Sequence, residues 1–477
     1  MAFDLNKKHH YYFNEIAKIP HGSKNEKALS DYIVQFAKDR GLTYKQDDIY
    51  NVIIDKPASE GYENAAALMM QAHIDMVCEK NADTEHDFEK DPLDLYEEDG
   101  WLKARGTTLG ADDGYGVSYM LAILDDDTLK HPAISCIFTV QEEIGLIGAS
   151  HLKKEDLHGD RYINLDSGKE VETVVSSAGG ARVAITMPFT EGSTNKQGYI
   201  IKVRGLLGGH SGGCIHLERG NANKLAARVV KELMNQGLDI QLSDIDGGLK
   251  YNAIPRECDV IFVSDSKEEI LKEAILKIEN IIQTELEFSD EGFYLEFEKK
   301  EVNTCLSKDS SVAIINFLYL LPNGFKHKSM VLDNLTTSSL SFGTIHRRDN
   351  TFVVEDLVRS ALESYTDTLL LEIKTLSDAF GMEVDCSERY GGWSYDKNSK
   401  LREKLKNAVE KRGKCLVETA SHGGLECGIF KSLKPELDII TCGPITENIH
   451  TPEERMDLGS FDRTFEILLE VLEACTD

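Results

Sequence analysis

The sequence predicts an α/β protein: a mostly parallel sheet covered by helices, interrupted by an inserted α+β domain. Three observations carry this expectation. Short apolar strand candidates alternate with helical patterns through the first 180 residues. From about residue 181 the texture changes to longer strands and amphipathic helices. Near Gly391-Gly392 the first texture resumes and continues to the last residue. A chain of 477 residues is also too long for one ordinary core, so two domains are expected.

The elements follow in order. Residues 28–41 carry Leu29, Tyr32, Ile33, Phe36 and Ala37 at helical spacing. Strand candidates lie at 51–54, 66–70, 134–140 and 161–165, with a helix at 115–124 between the second and third. Strands interleaved with helices imply parallel pairing with both faces covered. In the insert, 200–204 reads as a strand and is followed by a glycine-rich loop from Gly205 to Gly213. A helix over 218–235 places Leu225, Val229, Val230 and Leu233 on one stripe. The closing part offers a helix at 400–412, a strand at 437–442 and a helix at 461–473. The expected organisation is therefore 1–180 with 389–477 as a catalytic domain, and 181–388 as the insert.

Composition narrows the function classes. Lysine and arginine number 53 against 82 acidic residues, a net charge of −29. Such a chain lacks the basic surface that nucleic acids or anionic membranes require, so neither partner is expected. No apolar run reaches membrane-spanning length and the first residues carry no signal-peptide pattern, which predicts a cytoplasmic protein. The ten cysteines form no C-x-x-C pair. Cys78, Cys136, Cys214, Cys258 and Cys442 lie in or beside apolar segments, which predicts reduced, mostly buried thiols.

Chemistry gathers where the strand candidates end. The run 65–70 leads into Gln71-Ala72-His73-Ile74-Asp75, so a His-x-Asp pair leaves the sheet where open α/β sheets bind ligands. His73 is a candidate metal ligand, and Asp75 shares its side of an extended backbone and could orient the imidazole. Alone, such a pair is more often ordinary structure. Four further segments share the arrangement. Asp112 and Asp113 follow a glycine-rich turn at the start of a helix, where capping is the competing explanation. Glu142 and Glu143 leave the strand at 134–140 with diverging side chains. Asp166 follows the strand at 161–165, and His450 follows the strand at 437–442.

Two imidazoles, His73 and His450, and three carboxylates, Asp112, Glu143 and Asp166, suit two divalent ions. Zinc comes first, with cobalt or manganese as substitutes. A bridging Asp112 would hold the ions about 3.5–4 Å apart and the pair would lower the pKa of water to about 7. Glu142 is then placed to take the water's proton and pass it to a leaving amine, which is the chemistry of amide hydrolysis.

With these motifs, the chain resembles the co-catalytic zinc peptidases that include carboxypeptidase G2, carnosinase and aminoacylase, and among them the aminoacyl-histidine dipeptidases. The resemblance spans nearly the whole chain. It runs through Ile19-Pro20-His21-Gly22-Ser23, His73-Ile74-Asp75-Met76-Val77, Gly106-Thr107-Thr108-Leu109-Gly110-Ala111-Asp112 and Glu142-Glu143-Ile144-Gly145. It continues in Asn164-Leu165-Asp166, Gly208-Gly209-His210-Ser211-Gly212 and His422-Gly423-Gly424-Leu425-Glu426-Cys427-Gly428.

The resemblance implies that His73, Asp112 and Asp166 hold one zinc and that Asp112, Glu143 and His450 hold the other. It gives Asp75 the orienting role and Glu142 the general-base role, and implies a cis peptide after Asp112. The insert is implied to be a lid and dimerisation domain. In it His210 would polarise the scissile carbonyl, from the partner subunit in dimeric relatives. Asn252, Arg359 and His422 are candidates for binding substrate, with Arg359 pairing with its carboxylate. For Arg359 the competing explanation is a surface salt bridge on a helix, for His210 a surface loop histidine, and for His422 a loop histidine satisfied by backbone. Asp113 departs from the asparagine expected in close relatives and would add negative charge beside Asp112. The expected function is hydrolysis of dipeptides of the Xaa-His type, including β-alanyl-histidine, by a homodimer. A related tripeptidase or N-acyl amino acid deacylase is the alternative, and a non-catalytic binding protein on the same fold a more remote one.

Overall fold

The computed structural model describes residues 2–332 and 335–477. They form two compact units. One comprises Met1–Ser176, Trp393–Ala420 and Leu425–Asp477, and the other Ser177–Gly392 with Ser421–Gly424. The second unit thus begins at 177 rather than 181 and ends at 392 rather than 388, and it takes in a short return at 421–424.

The first unit is built on a six-stranded sheet. Its order is Thr43–Gln46, Val52–Lys56, Ile134–Thr139, Leu68–His73, Arg161–Asn164 and Asp438–Thr441. The central strand, Leu68–His73, pairs in parallel with Ile134–Thr139 and with Arg161–Asn164, which pairs in parallel with Asp438–Thr441. The two strands at the other edge are antiparallel. All residues of the Leu68–His73, Ile134–Thr139 and Arg161–Asn164 strands are buried, which is why they read as continuous apolar runs without alternation. Parallel pairing brings their carboxyl ends to one edge. His73 lies opposite Thr139, and Gln71 opposite Asn164, so the segments that follow all emerge together.

Two elements differ from their sequence reading. The central strand extends to His73, so this residue ends the strand instead of following it. The helix expected at 115–124 runs Ala111–Leu124, but Asp112 and Asp113 keep non-helical dihedrals at its start. This helix lies close against the sheet because Gly116 has no side chain. A Cβ there would meet Leu165 Cβ at 2.8 Å and Ala72 Cβ at 2.9 Å. Its buried face joins the same core as Phe13 of the Lys8–Ile16 helix and Phe461 of the closing Leu458–Glu473 helix. Both ends of the chain therefore complete the first unit.

Glu170 fastens these distant parts by charge. It is buried and takes two hydrogen bonds from Arg463, at 2.9 and 2.7 Å, and one from Lys414. Burial alone would raise its pKa, but the Arg463 and Lys414 contacts win and bring it down to about 2. A carboxylate with a depressed folded-state pKa stabilises the fold above its unfolded pKa of about 4.5 and loses that contribution as pH falls toward 2. Glu170→Gln should cost on the order of 2 kcal/mol at pH 7. In urea titrations the gap between variant and parent should close between pH 4.5 and pH 2. A gap independent of pH would rule out this ion pair as its source.

The second unit is a nine-stranded sheet whose pairings are antiparallel, including Gln197–Arg204 with Cys258–Ser264 and Thr336–Arg348 with Thr351–Ser360. Alternating burial along Gly179–Pro188 shows one face turned inward. The helices Ala222–Asn235, Glu268–Glu285, Lys308–Leu320 and Glu363–Phe380 contribute apolar residues to a core shared with that face. The helix expected at 218–235 starts at Ala222, where Asn221 accepts from the backbone of Asn223 and Lys224 as its cap.

All ten cysteines are free thiols. Cys136, Cys258 and Cys442 are buried, but Cys78 is exposed: it lies beyond the buried segment that ends at Met76. Among the described residues no helix is long and apolar enough to cross a membrane.

Candidate metal centre

Three of the five expected ligands come from the ends of adjacent parallel strands. His73 closes the central strand, Glu143 lies just beyond Ile134–Thr139, and Asp166 just beyond Arg161–Asn164. Asp112 comes from the irregular start of the helix packed over them, and a cis peptide bond joins it to Asp113. His450 comes from the loop that follows Asp438–Thr441 and adopts a left-handed backbone at φ 63°.

These residues form two overlapping groups. One atom each from His73, Asp112 and Asp166 lie within 4.8 Å of one another, as do atoms of Asp112, Glu143 and His450. Asp112 belongs to both. Its Oδ1 is 3.1 Å from His73 Nε2 and its Oδ2 is 3.4 Å from His450 Nε2, so its two oxygens face the two groups. His450 Nε2 is also 2.9 Å from Glu143 Oε1. His73 Nδ1 donates to the carbonyl oxygen of Asp75 at 3.0 Å, which turns Nε2 toward Asp112 as the ring nitrogen a metal would take.

The charge balance fits divalent ions. Burial and the neighbouring Asp112 push the Asp166 carboxyl up to about 8, while hydrogen bonds to Asp112 and Glu143 raise His450 to about 10. Both shifts describe carboxylates crowded together with too little positive charge. A pair of dications held by these two imidazoles and three carboxylates would remove that excess.

Asp75 does more than the sequence suggests. Its Oδ1 lies 3.5 Å from His73 Nδ1, but the carboxylate also accepts from Ser23 Oγ at 2.8 Å and from the backbone N–H groups of Glu142 and Glu143, at 2.9 and 3.3 Å. It therefore aims the Glu142-Glu143 pair as well as the imidazole. Glu142 belongs to another ligand-capable group, with His73 and Glu143. Burial, with Asp166 and Glu426 nearby, lifts its pKa well above the ordinary carboxylate range. Asp113, from which extra negative charge is expected, is fully buried. Burial, with Asp166 and Asp112 nearby, pushes its pKa well up and favours the neutral acid, so the expected charge is suppressed.

Below the ligands lies a polar network that the sequence reading missed. Gln71 donates to Thr139 Oγ1 at 2.9 Å and to Glu426, and its carbonyl accepts from Tyr162 at 2.6 Å and Asn164 at 2.8 Å. All these residues are buried, and the network ties the three parallel strands together just before their ligands. A polar residue inside an otherwise apolar strand was the available signal at Gln71. Glu426 gave none that separates it from a helix-start acid.

His9, His10 and Asp462 form a further His–acid group. The Asp4 backbone N–H donates to His10 Nδ1 at 3.0 Å, so Nε2 carries the proton and donates to Asp462 Oδ1. Lys7 occupies the other carboxylate oxygen, and hydrogen bonding accounts for this group without an ion.

The remaining candidates all lie in the second unit and converge there. Gly209–His210 pairs with Ala253–Ile254, and the Asn252 carbonyl accepts from Ser211 N at 3.0 Å. Arg359 contacts Ser211 Oγ at 3.4 Å and donates to Tyr390 OH at 3.0 Å. His422 Nε2 is 2.7 Å from Ser339 Oγ, and a side chain on Gly212 would meet the His422 carbonyl at 2.8 Å. Burial, with Arg359 and His210 nearby, lowers His422 to about 3 and keeps it neutral. Arg359 is on the Thr351–Ser360 strand and is buried, which overturns the alternative of a helix-surface salt bridge. His210 accepts from the backbone of Gly212 and Gly213 at Nδ1, so its proton is on Nε2.

Comparison with known proteins places this geometry. Residues 69–474 match the sequence profile of Peptidase family M20/M25/M40. The chain is 35% identical over 468 residues to the cytosol non-specific dipeptidase of Escherichia coli, covering 96% of both chains. The crystal structure of an aminoacylhistidine dipeptidase from Vibrio alginolyticus superposes with a TM-score of 0.91 at 34% identity, covering 98% of this chain and 96% of that one. The aminopeptidase PepT of Bacillus cereus, at 17% identity and a TM-score of 0.58 over the full length of both chains, shares the fold.

Proposed function

This chain belongs to Peptidase family M20/M25/M40, and on that premise we propose that it is a cytosolic, metal-dependent dipeptidase acting on unblocked dipeptides of the Xaa-His type, β-alanyl-histidine included. One observation carries the reading: two ligand groups share Asp112, with Glu142 beside them on a backbone aimed by Asp75. His73, Asp112 and Asp166 would hold one divalent ion and Asp112, Glu143 and His450 the other, which would supply Lewis acidity and a water whose pKa is lowered to about 7.

The chain's own groups do the rest. Glu142 takes the proton of the attacking water and delivers it to the leaving amine nitrogen as the C–N bond breaks. His210, protonated at Nε2, is a ready hydrogen-bond donor to the scissile carbonyl oxygen. Arg359 would take the free carboxylate of the dipeptide, with Asn252 and His422 as the further candidates for binding substrate. Zinc is the first choice for the ions, with cobalt and manganese compatible with the same donors. A homodimer is the proposed assembly, and the mass of the protein in solution checks it.

The experiment is a hydrolysis panel with metal-replete protein. Free dipeptides with and without C-terminal histidine are compared with tripeptides and N-acylated amino acids. The proposal expects free dipeptides, Xaa-His among them, to be cleaved and EDTA to abolish cleavage. Preference for N-acyl amino acids or tripeptides would replace it with the deacylase or tripeptidase alternative.

A further inference from the structure

Glu454 is almost fully buried, whereas its neighbour Glu453 is exposed. Its carboxylate accepts four backbone N–H groups from the turn that carries Asp112. Oε2 receives Leu109 at 2.8 Å and Gly110 at 3.1 Å, and Oε1 receives Ala111 at 2.9 Å and Asp112 itself at 3.3 Å. These donors lie at the start of the Ala111–Leu124 helix, where the first N–H groups have no partner within the helix. Gly110, at φ 64°, offers no side-chain cap, and the positive end of the helix favours a carboxylate.

The turn that supplies Glu454 also supplies His450. It is braced internally: Glu454 N donates to Thr451 O at 3.0 Å. Thr451 Oγ1 donates to Asn448 O at 2.7 Å and accepts from Glu453 N at 3.2 Å. Just beyond it, buried Met456 pairs with Leu102 in an antiparallel sheet. One braced turn thus reaches Asp112 twice, through His450 toward its carboxylate and through Glu454 toward its backbone.

We propose that Glu454 is a positioning residue for the metal held by Asp112, Glu143 and His450, fixing the Asp112 carboxylate relative to His450 by gripping the 109–112 backbone. The inference rests on the two-metal reading above. It also predicts an asymmetry. His73 and Asp166 leave strand ends that Glu454 does not touch, so the metal they share with Asp112 depends on it less.

Glu454→Gln is the informative change. The amide keeps one acceptor oxygen and turns a donor toward the other two N–H groups. Full-length protein stripped with EDTA is titrated with Co2+, followed by visible absorption, and thermal unfolding of the metal-free protein reports the helix-capping role separately. The expected result is two Co2+ sites in the parent. In E454Q the affinity of one of the two sites should fall by about 10–100-fold, with a smaller change at the other site. Parental affinity at both sites would reduce Glu454 to a helix cap, whatever the change in melting temperature. A parent that binds fewer than two ions would instead fail the two-metal reading. Should E454Q not fold, Thr451→Val, which loosens the turn but keeps Glu454 and His450, takes the same titration. Weakening of one site supports the proposal and parental affinities overturn it.

Discussion

Replacing Glu142 with glutamine should lower kcat by at least about 10²–10⁴-fold while the protein keeps two metal ions. The amide preserves the volume of the side chain, and the Glu142 backbone N–H still donates to Asp75, so the neighbouring Glu143 stays aimed. What is lost is a group able to accept a proton and return it. The measurement must include metal content, because Glu142 also lies within ligand distance of His73 and Glu143. If Glu142 were a ligand, the variant would lose an ion along with activity, and the proton-transfer role would fall. Turnover near the parent's with both ions retained would remove Glu142 from the chemistry altogether.

Four of the five candidate ligands stand out in the sequence because a parallel sheet makes them so. Buried strands read as unbroken apolar runs, and a charged residue just after each run marks the carboxyl edge where ligands gather. His73, Glu143 and Asp166 obey that rule, and His450 follows the fourth strand at a longer interval. The groups that hold the ligands are a different matter. Gln71, Glu426 and Glu454 act through hydrogen bonds to residues 68 to 355 positions away. No periodicity or spacing marks such a partner. Glu453 and Glu454 are adjacent and chemically identical, yet only the second turns inward, because pairing of Arg455–Asp457 with Trp101–Ala104 fixes the direction of the turn.

Asp113 shows a subtler failure of sequence reasoning. Counting charges treats every aspartate as an anion. In the fold Asp113 is enclosed, its Oδ1 accepts from Gly116 N at 3.2 Å, and the pull of His73 is opposed by the carboxylates of Asp166, Asp112 and Glu426. Desolvation then decides its protonation, and desolvation depends on packing that a linear sequence does not display.

Arg359→Ala should lower kcat/KM on free dipeptides by about 30- to 1,000-fold and leave cleavage of the matching dipeptide amides, already slow in the parent, almost unchanged. The reason is an imbalance. Arg359 is buried, and among the described residues its guanidinium meets only neutral partners, Ser211 and Tyr390. A buried cation without a counter-charge is costly to maintain, and an enzyme that keeps one gains when an anion arrives with the substrate. A free dipeptide brings one carboxylate, and a guanidinium fork matches its geometry. Arg359→Lys should recover only part of the loss, since an ammonium retains the charge but not the two parallel donors. Tyr390→Phe, which removes one neutral partner and leaves the charge, should cost far less. If the parent cleaves dipeptide amides as readily as free dipeptides, or if Arg359→Ala slows both alike, the guanidinium serves the fold and not the substrate carboxylate.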